Sequence, residues 1–295
     1  MKKLLTLLCC CSMLPLLSQF NPLRSQYLSD WLSVNPAYAG DAGALRATAS
    51  YRRQWMGFKG APETFSFDLH TPLRNPHFNA GILASQDNIA VLHRTTVALV
   101  YAYRFHLPHF SFAAGISPGV MLDRNNWNEI VTTDPGDAVF DGVMQRRVSY
   151  LAAFGLHASG DRFFFGVSSC AMFSKEFSPS MKQQPWMAYA GYRFGRTENI
   201  TVMPSVLGRM IPGGEWQLDA NVLVYFQDRI GAGVSYRMND AVAGIIDVRV
   251  NEQFHFGYSY DLSVSRLEGY NSGTHEVSLR YDFSYTVHTP SPRNL

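Results

Sequence analysis

The chain has 295 residues, of which 46% are hydrophobic, 14% aromatic and 16% charged, and its formal net charge is +2. That length suits one large β domain or two small ones. No basic cluster exceeds two adjacent residues, so the charge distribution gives no support for a nucleic-acid partner.

The first 18 residues have the pattern of a secretory signal peptide. Lys2 and Lys3 give a positive start, and the apolar core runs from Leu4 to Leu17. About 14 apolar residues are too few to cross a bilayer as a helix. Cleavage is expected after Ser18 or as late as Ser25, since neither position is a clean Ala-x-Ala site.

Residues 19–43 are expected to form a periplasmic lead-in that packs in or beneath the mouth of the following domain. The segment contains the run Asn35-Pro36-Ala37-Tyr38-Ala39-Gly40, whose Pro, Asn and Gly argue against a full strand. This run could cap the periplasmic mouth as a docking element. Simple sealing of the mouth explains it equally well, and both interpretations remain open.

Residues 44–285 alternate apolar and polar side chains, which predicts β-strands with two different faces. Fourteen strands are predicted, an even number, as single-chain bacterial barrels usually have. They are Ala44–Gln54, Glu63–His70, Phe78–Ser85, Val91–Phe105, His109–Leu122, Arg146–Ala158, Arg162–Phe173, Trp186–Phe194, Ile200–Ile211, Glu215–Gln227, Arg229–Met238, Ala241–Val250, Gln253–Leu262 and Thr274–Tyr285.

Two-faced strands fit either a soluble sandwich or a membrane barrel with a polar lumen. The predicted strands are about ten residues long, as bilayer crossing requires, whereas soluble strands are typically about five or six. Aromatic residues crowd the ends of the apolar face, as at Trp216 and Phe226, where a membrane interface favours them. The polar face carries charges such as Asp219, Arg237 and Asp261, which can pair inside a lumen. The sequence therefore predicts an all-β, up-and-down transmembrane antiparallel β-barrel.

Predicted connections alternate between tight turns and long loops, the habit of outer-membrane barrels, whose tight turns face the periplasm. That rule places both mature ends on the periplasmic side. Residues 86–88, Gln-Asp-Asn, are predicted to form the turn between the third and fourth strands. Residues 286–295 are expected to be a disordered tail. Arg53 falls on the lipid face, where a mid-depth position costs about 2–4 kcal/mol, so it is expected near the extracellular interface.

Several motifs, in order along nearly the whole mature chain, resemble the PorP/SprF family of bacterial outer-membrane proteins. They are Ser25-Gln26-Tyr27 with residues 35–40, Tyr51-Arg52 with Gln54-Trp55, Gly57, Gly60-Ala61-Pro62-Glu63-Thr64, His70-Thr71-Pro72-Leu73, Tyr258-Ser259-Tyr260-Asp261, and Tyr270-Asn271-Ser272-Gly273-Thr274-His275-Glu276. The chain departs from the family at Asp30-Trp31-Leu32-Ser33, where an Asn-Pro pair is more usual. That departure puts the geometry of the lead-in in doubt.

The resemblance implies an integral outer-membrane barrel that works with the type IX secretion system. Its implied partners are outer-membrane lipid, the type IX secretion machinery and a secreted surface protein, such as a gliding adhesin. It implies no enzymatic activity. A passive pore or small-molecule channel is the alternative function, because a charged lumen suits either role.

Three groups of residues are candidate partner-contacting or structural positions. They are Asn35, Pro36, Tyr38 and Gly40 in the lead-in, Gly57, Gly60 and Pro62 in the first loop, and Tyr270, Gly273, His275 and Glu276 at the last long loop. The first loop fits plain turn chemistry or a partner contact. Glu276 is expected to face the lumen with Arg280, as a structural ion pair or as a plug contact that holds the last long loop, rather than as a ligand site.

No motif for catalysis, a cofactor or a metal emerges from the sequence. The nine His are scattered without an H-x-x-x-H or H-E-x-x-H pattern. His70 and His255 are expected to point inward near Asp68 and Ser259. A Ser-His-acid lipid hydrolase would need these groups on the lipid-facing surface, so the sequence predicts a protein that is not an enzyme.

Overall fold

The computed structural model describes residues 24–125, 145–173, 185–197, 200–211, 216–265 and 269–283. The predicted signal peptide and the tail at 286–295 lie outside these residues. Strand segments dominate the described part of the chain: β1 Leu45–Arg53, β2 Glu63–Pro72, β3 Phe78–Ile89, β4 Leu92–His106, β5 Phe110–Asn125, β6 Gln145–Gly160, β7 Phe163–Phe173, β8 Trp186–Tyr192, β9 Phe194–Thr197, β10 Ile200–Met210, β11 Trp216–Phe226, β12 Ile230–Arg237, β13 Ala241–Arg249, β14 Phe254–Ser263 and β15 Thr274–Phe283.

The strands form one closed antiparallel barrel. Each strand pairs with its neighbours in sequence, and β15 closes the cylinder on β1, with Arg52 opposite Glu276. Both β8 and β9 pair with β10 and act as one strand interrupted at Arg193. Pro204 of β10 lies next to this interruption, and because proline has no N–H it cannot donate a hydrogen bond to the neighbouring strand there. The barrel therefore has 14 strands, which confirms the predicted fold class.

The two faces of the wall meet different surroundings. Apolar side chains point outward and are exposed, as Leu99 and Phe105 are, with 59% and 53% of their surface accessible. Polar side chains at alternate positions, such as Thr48, Ser50 and Asp68, point inward and are buried. Two sheets stacked face to face would bury the aromatic rows instead, so the soluble sandwich is excluded. Among the described residues, no helix has the length and apolarity to span a bilayer.

The two rims of the barrel differ in their connections. One rim carries connections of a few residues, such as 107–109 and 161–162; we call it the short-turn rim. The other, the long-loop rim, carries the connections 126–144 and 174–185, most of whose residues lie outside the described ranges. Arg53 is the last residue of β1, at the long-loop rim, and pairs with Glu63 at 3.1 Å.

The predicted turn at 86–88 is wrong. β3 continues to Ile89, and the turn falls at residues 90–91, where Ala90 adopts a φ of 50°. Asp87 looks like a turn residue in the sequence because it is short and polar. It instead faces the lumen and accepts a 2.6 Å hydrogen bond from Thr64 of β2.

Residues 24–43 lie inside the barrel, and we call this segment the plug. It forms three single-turn 3-10 helices, Gln26–Leu28, Trp31–Ser33 and Pro36–Tyr38. The second and third helices are capped by Asp30 and Asn35, whose side chains accept hydrogen bonds from the N–H groups of Leu32 and Ala37 at 3.0 and 2.9 Å. Capping satisfies backbone donors that would otherwise lack a partner inside the barrel.

The plug begins in the half of the lumen nearer the long-loop rim and runs along the lumen to the short-turn rim. Arg24 contacts Ser50 and Glu276, which lie in the halves of β1 and β15 nearer the long-loop rim, whereas the plug ends at Gly43, beside the first residues of β1. The mature N-terminus expected on the periplasmic side lies outside the described residues. Arg24, the first described residue, already lies in the half of the lumen nearer the long-loop rim.

Lumen-facing glycines leave room for the plug. A Cβ built on Gly155 would lie 2.0 Å from Oδ1 of Asn35, and one on Gly115 would lie 2.4 Å from the backbone N of Ala37. Both contacts are far below van der Waals distance, so the plug backbone can pack against β5 and β6 only because these positions have no side chain.

We predict that Gly155→Leu dislodges the plug and leaves the barrel wall intact, because the new side chain occupies the site of Asn35. Limited proteolysis of the purified protein should cleave within residues 24–43 several-fold faster than in the wild type. Gly244→Leu is the matched control, since a Cβ at outward-facing Gly244 meets nothing within 4 Å. Equal cleavage rates in the two variants would contradict the packing argument.

Candidate functional site

A buried cluster of charges ties the plug to the barrel seam. The Arg52 guanidinium donates to Glu276 Oε2 at 3.0 Å and to Asp261 Oδ2 at 2.8 Å. Ser25 of the plug joins both carboxylates: its N–H donates to Glu276 at 2.7 Å and its Oγ donates to Asp261 at 2.8 Å. All four residues are at most 5% exposed. One arginine thus links β1, β14, β15 and the plug.

The cluster extends across the lumen as a set of paired charges. Arg237 contacts Ser25 Oγ at 3.1 Å, Asp261 at 3.5 Å, Asp219 at 3.7 Å and Asp240 at 3.1 Å. Arg24 pairs with Asp68 at 3.3 Å, and Arg209 pairs with Asp219 at 3.2 Å. The set comprises Arg24, Arg52, Arg209 and Arg237 with Asp68, Asp219, Asp240, Asp261 and Glu276. Burial of ions is tolerable only with such pairing.

An apolar contact holds the plug on its other side. Trp31 stacks on Tyr189 at a ring distance of 4.4 Å and also meets Tyr27 and Phe164 at 5.0 and 5.5 Å. Lumen-facing Leu207, Leu223 and Ile245 belong to the same buried cluster. This apolar patch replaces water in the lumen by packed side chains, which favours an occupied lumen.

The predicted lead-in residues lie at the centre of the plug. The Asn35 amide donates to the carbonyl oxygens of Leu156 and Val167 at 2.8 and 3.3 Å, and Pro36 begins the third 3-10 helix. Tyr38 packs edge-on against the rings of His70 and His157.

Gly40 helps to fix the plug through His70. Its N–H donates to His70 Nδ1 at 2.9 Å, and its φ is 75°. Because Nδ1 accepts this bond, the ring proton lies on Nε2, which faces Asp30 Oδ2 at 3.4 Å. The carboxylate of Asp30 also accepts a hydrogen bond from Thr48 at 2.9 Å. The middle of the plug is therefore bonded to both β1 and β2.

Asp41 anchors the end of the plug near the short-turn rim. It pairs with Arg104 at 2.7 Å. Burial works to raise the pKa of the Asp41 carboxyl, but the His157 ring 3.7 Å away and the Arg104 charge outweigh it and hold that pKa at about 2. Asp41 is therefore ionised at neutral pH and the pair persists.

The candidate residues of the two loops meet at the long-loop rim. Met56 N–H donates to the Gly273 carbonyl at 2.8 Å, and Ser272 N–H donates to the Met56 carbonyl at 2.8 Å. Gly57, Gly60 and Gly273 have φ values of 101°, 74° and 81°, a region that favours glycine. The Pro62 carbonyl accepts from Gln54 N–H at 2.9 Å. The two motifs thus form a clasp over the β1–β15 seam.

The remaining candidate residues, from the last long loop and β15, do not all lie on the same face of the barrel wall. Tyr270 is 76% exposed at the long-loop rim. His275 shares a 2.8 Å hydrogen bond with Tyr258 on the face opposite to Glu276. Glu276 faces the lumen, but the expected pairing with Arg280 is wrong: its partner is Arg52, directly opposite on β1. Arg280 lies four residues further along the same strand and donates to the Ser29 carbonyl at 2.8 Å.

The plug separates two cavities in the lumen. One, of about 470 Å³, opens at the short-turn rim and is lined by charged side chains together with Trp31 and Tyr38. The other, of about 170 Å³, lies between the plug and the long-loop half of β2 to β8. In the described part of the chain, no group of three His, Cys, Asp or Glu side chains is placed to hold a metal ion.

A closed cylinder with an apolar outer face and an occupied polar lumen defines an integral outer-membrane β-barrel. A family model for the type IX secretion system membrane protein PorP/SprF matches residues 17–281. The chain belongs to this family, which confirms the resemblance read from its motifs, and it is an integral protein of the bacterial outer membrane. No curated protein sequence matches it.

Solved outer-membrane barrels share the fold at low sequence identity. The toluene transporter TbuX of Ralstonia pickettii is 9% identical, with a TM-score of 0.51 over 85% of this chain and 92% of that chain. Omp33 of Acinetobacter baumannii is 9% identical, with a TM-score of 0.47 over 81% of this chain and 96% of that chain. The translocator domain of NalP from Neisseria meningitidis is 10% identical, with a TM-score of 0.44, covering 81% and 88%.

We predict that Arg52→Gln destabilises the folded protein by about 3–5 kcal/mol, because it leaves two buried carboxylates without their main partner. The measurement is the urea midpoint of unfolding in detergent micelles. Arg53→Gln is the control: it breaks an exposed pair worth at most about 1 kcal/mol. Arg52→Gln combined with Glu276→Gln should regain part of the loss, and equal midpoints for the two single variants would refute the role of the cluster.

Proposed function

We propose that this barrel supports the secretion or surface attachment of specific large surface proteins, such as gliding adhesins, by docking a secreted substrate or the secretion machinery. Membership of the type IX family supports a place in secretion. The observation that favours docking over conduction is the occupied lumen. A substrate or solute channel needs a continuous water path, and here residues 24–43 fill it.

Two features of the plug support a lasting closure. The plug is bonded to β2, β14 and β15 through Arg24 and Ser25, so its withdrawal would leave Asp68 without its arginine and would remove a hydrogen-bond donor from Glu276 and from Asp261. It also packs Trp31 and Tyr27 into an apolar patch that water would replace unfavourably. A protein with this closure offers partners its rims and loops. By the rule for outer-membrane barrels, the short-turn rim faces the periplasm and the long-loop rim faces outward.

We infer that the protein is not an enzyme. The two inward histidines that suggested a hydrolase serve the structure: His70 binds the plug at Gly40, and His255 accepts a hydrogen bond from Arg280. A passive pore remains the competing function, favoured by the charged cavity at the short-turn rim.

Purified full-length protein should be electrically silent in planar lipid bilayers, because the plug blocks the lumen. A variant that lacks residues 24–41 should show steady conductance, provided that its barrel still migrates as a folded, heat-modifiable band. Steady open conductance of the full-length protein would favour the pore and count against docking.

Deletion of the gene should remove one or a few large proteins from the cell surface while uptake of small solutes stays normal. The measurement is a comparison of surface proteomes, with a plasmid-borne wild-type copy as the control that restores the missing proteins. An unchanged surface proteome, or a general defect in solute uptake, would contradict the proposed function.

A further inference from the structure

Arginine side chains line the cavity at the short-turn rim, on the part of the mouth that the plug leaves open. Residues in the connections at this rim and residues near the ends of β13 and β15 supply them. They are Arg162, Arg193, Arg229, Arg249 and Arg280, and we call them the arginine mouth. The cavity that they share has a volume of about 470 Å³.

Four of these arginines are held as two like-charged pairs by the backbone. The N–H of Arg193 donates to the carbonyl of Arg162 at 2.6 Å, and the N–H of Arg249 donates to the carbonyl of Arg229 at 2.7 Å. Like charges on facing strands are destabilising. Within the described ranges, no carboxylate lies at ion-pair distance from any guanidinium of the arginine mouth.

The acidic residues around the cavity do not cancel this charge. Asp41 is committed to Arg104 at 2.7 Å, and Asp247 accepts a 3.1 Å hydrogen bond from Tyr225. Asp161 and Asp228 also line the cavity, against the five arginines of the mouth, while a sixth lining arginine, Arg46, is paired with Asp282 at 2.6 Å. Arg280 donates to a plug carbonyl and to His255, while its buried Nε has no hydrogen-bond partner. The mouth therefore keeps an excess of positive charge.

We propose that the arginine mouth binds an acidic peptide segment of a partner protein. Guanidinium groups match carboxylates in charge and in paired hydrogen-bond geometry. The arginines are spread from the β6–β7 turn to β15, a wider arc than one small anion can span. Trp31, Phe164 and Tyr225 line the same cavity and offer contacts for side chains between the carboxylates. This inference rests on the proposed docking function and assigns it to the short-turn rim.

The test is the binding of a fluorescein-labelled peptide of ten glutamates to the purified full-length barrel, measured by fluorescence anisotropy. Replacing Arg162, Arg193, Arg229 and Arg249 by Gln should raise the Kd by about tenfold or more, the loss expected for one or more charge-assisted hydrogen bonds. The control is Arg124→Gln with Arg146→Gln, an arginine pair at the opposite rim whose members face each other across β5 and β6. The control should keep the wild-type Kd.

An unchanged Kd in the four-arginine variant, or an equal loss in the control, would overturn the proposal. So would inorganic phosphate that displaces the peptide at an equal concentration of anionic groups, because that result describes a small-anion site. In cells, normal secretion by the four-arginine variant, beside lost secretion in the gene deletion, would overturn this inference and leave the proposed function standing. Unchanged secretion in the deletion would overturn the proposed function itself, while the anisotropy result would still decide peptide binding.

Discussion

The contacts of Arg52 with Glu276 and Asp261 are the constraint on which the plugged barrel depends. Arg52 and Glu276 face each other across the seam where the last strand closes on the first. Ser25 of the plug bonds to both carboxylates. Closure of the wall and seating of the plug therefore share the same buried charges. Because a buried carboxylate without donors is costly, each feature stabilises the other.

The barrel wall could be predicted from the sequence because each face of each strand meets one kind of surroundings. Outward positions such as Leu99 and Phe105 are apolar and exposed, and inward positions such as Asp68 are polar and buried, so the two-residue period is visible in the sequence. The failures are local. Asp87 has the composition of a turn but serves as a lumen acceptor. The sequence pattern pairs Glu276 with Arg280 on the same strand, whereas the partner in the structure is Arg52 on the neighbouring strand.

The site itself was only partly predictable. The motifs of the first loop and of the last long loop are recognisable in the sequence, but spacing along the chain cannot tell that they meet at the β1–β15 seam. Tertiary closure brings Ser25 to Glu276, 251 positions apart in sequence. One signal of an occupied lumen is present in the sequence: Leu223 is apolar on a face of β11 that also carries Asp219 and Asn221, and Ile245 is apolar next to Asp247 on the inward face of β13. In an open aqueous channel such apolar side chains would be exposed to water, which is unfavourable.

The distribution of charge distinguishes the interior from the mouth. Inside, each of the four arginines of the plug cluster meets at least one carboxylate, so its charges are paired within the lumen. At the short-turn rim, the guanidinium groups of the arginine mouth have no such pairing among the described residues. Lumen walls of low dielectric concentrate the field of unpaired charges at the opening. A partner approaching that rim therefore meets an attractive potential where the lumen is already closed, which suits a surface for docking better than an entrance for solutes.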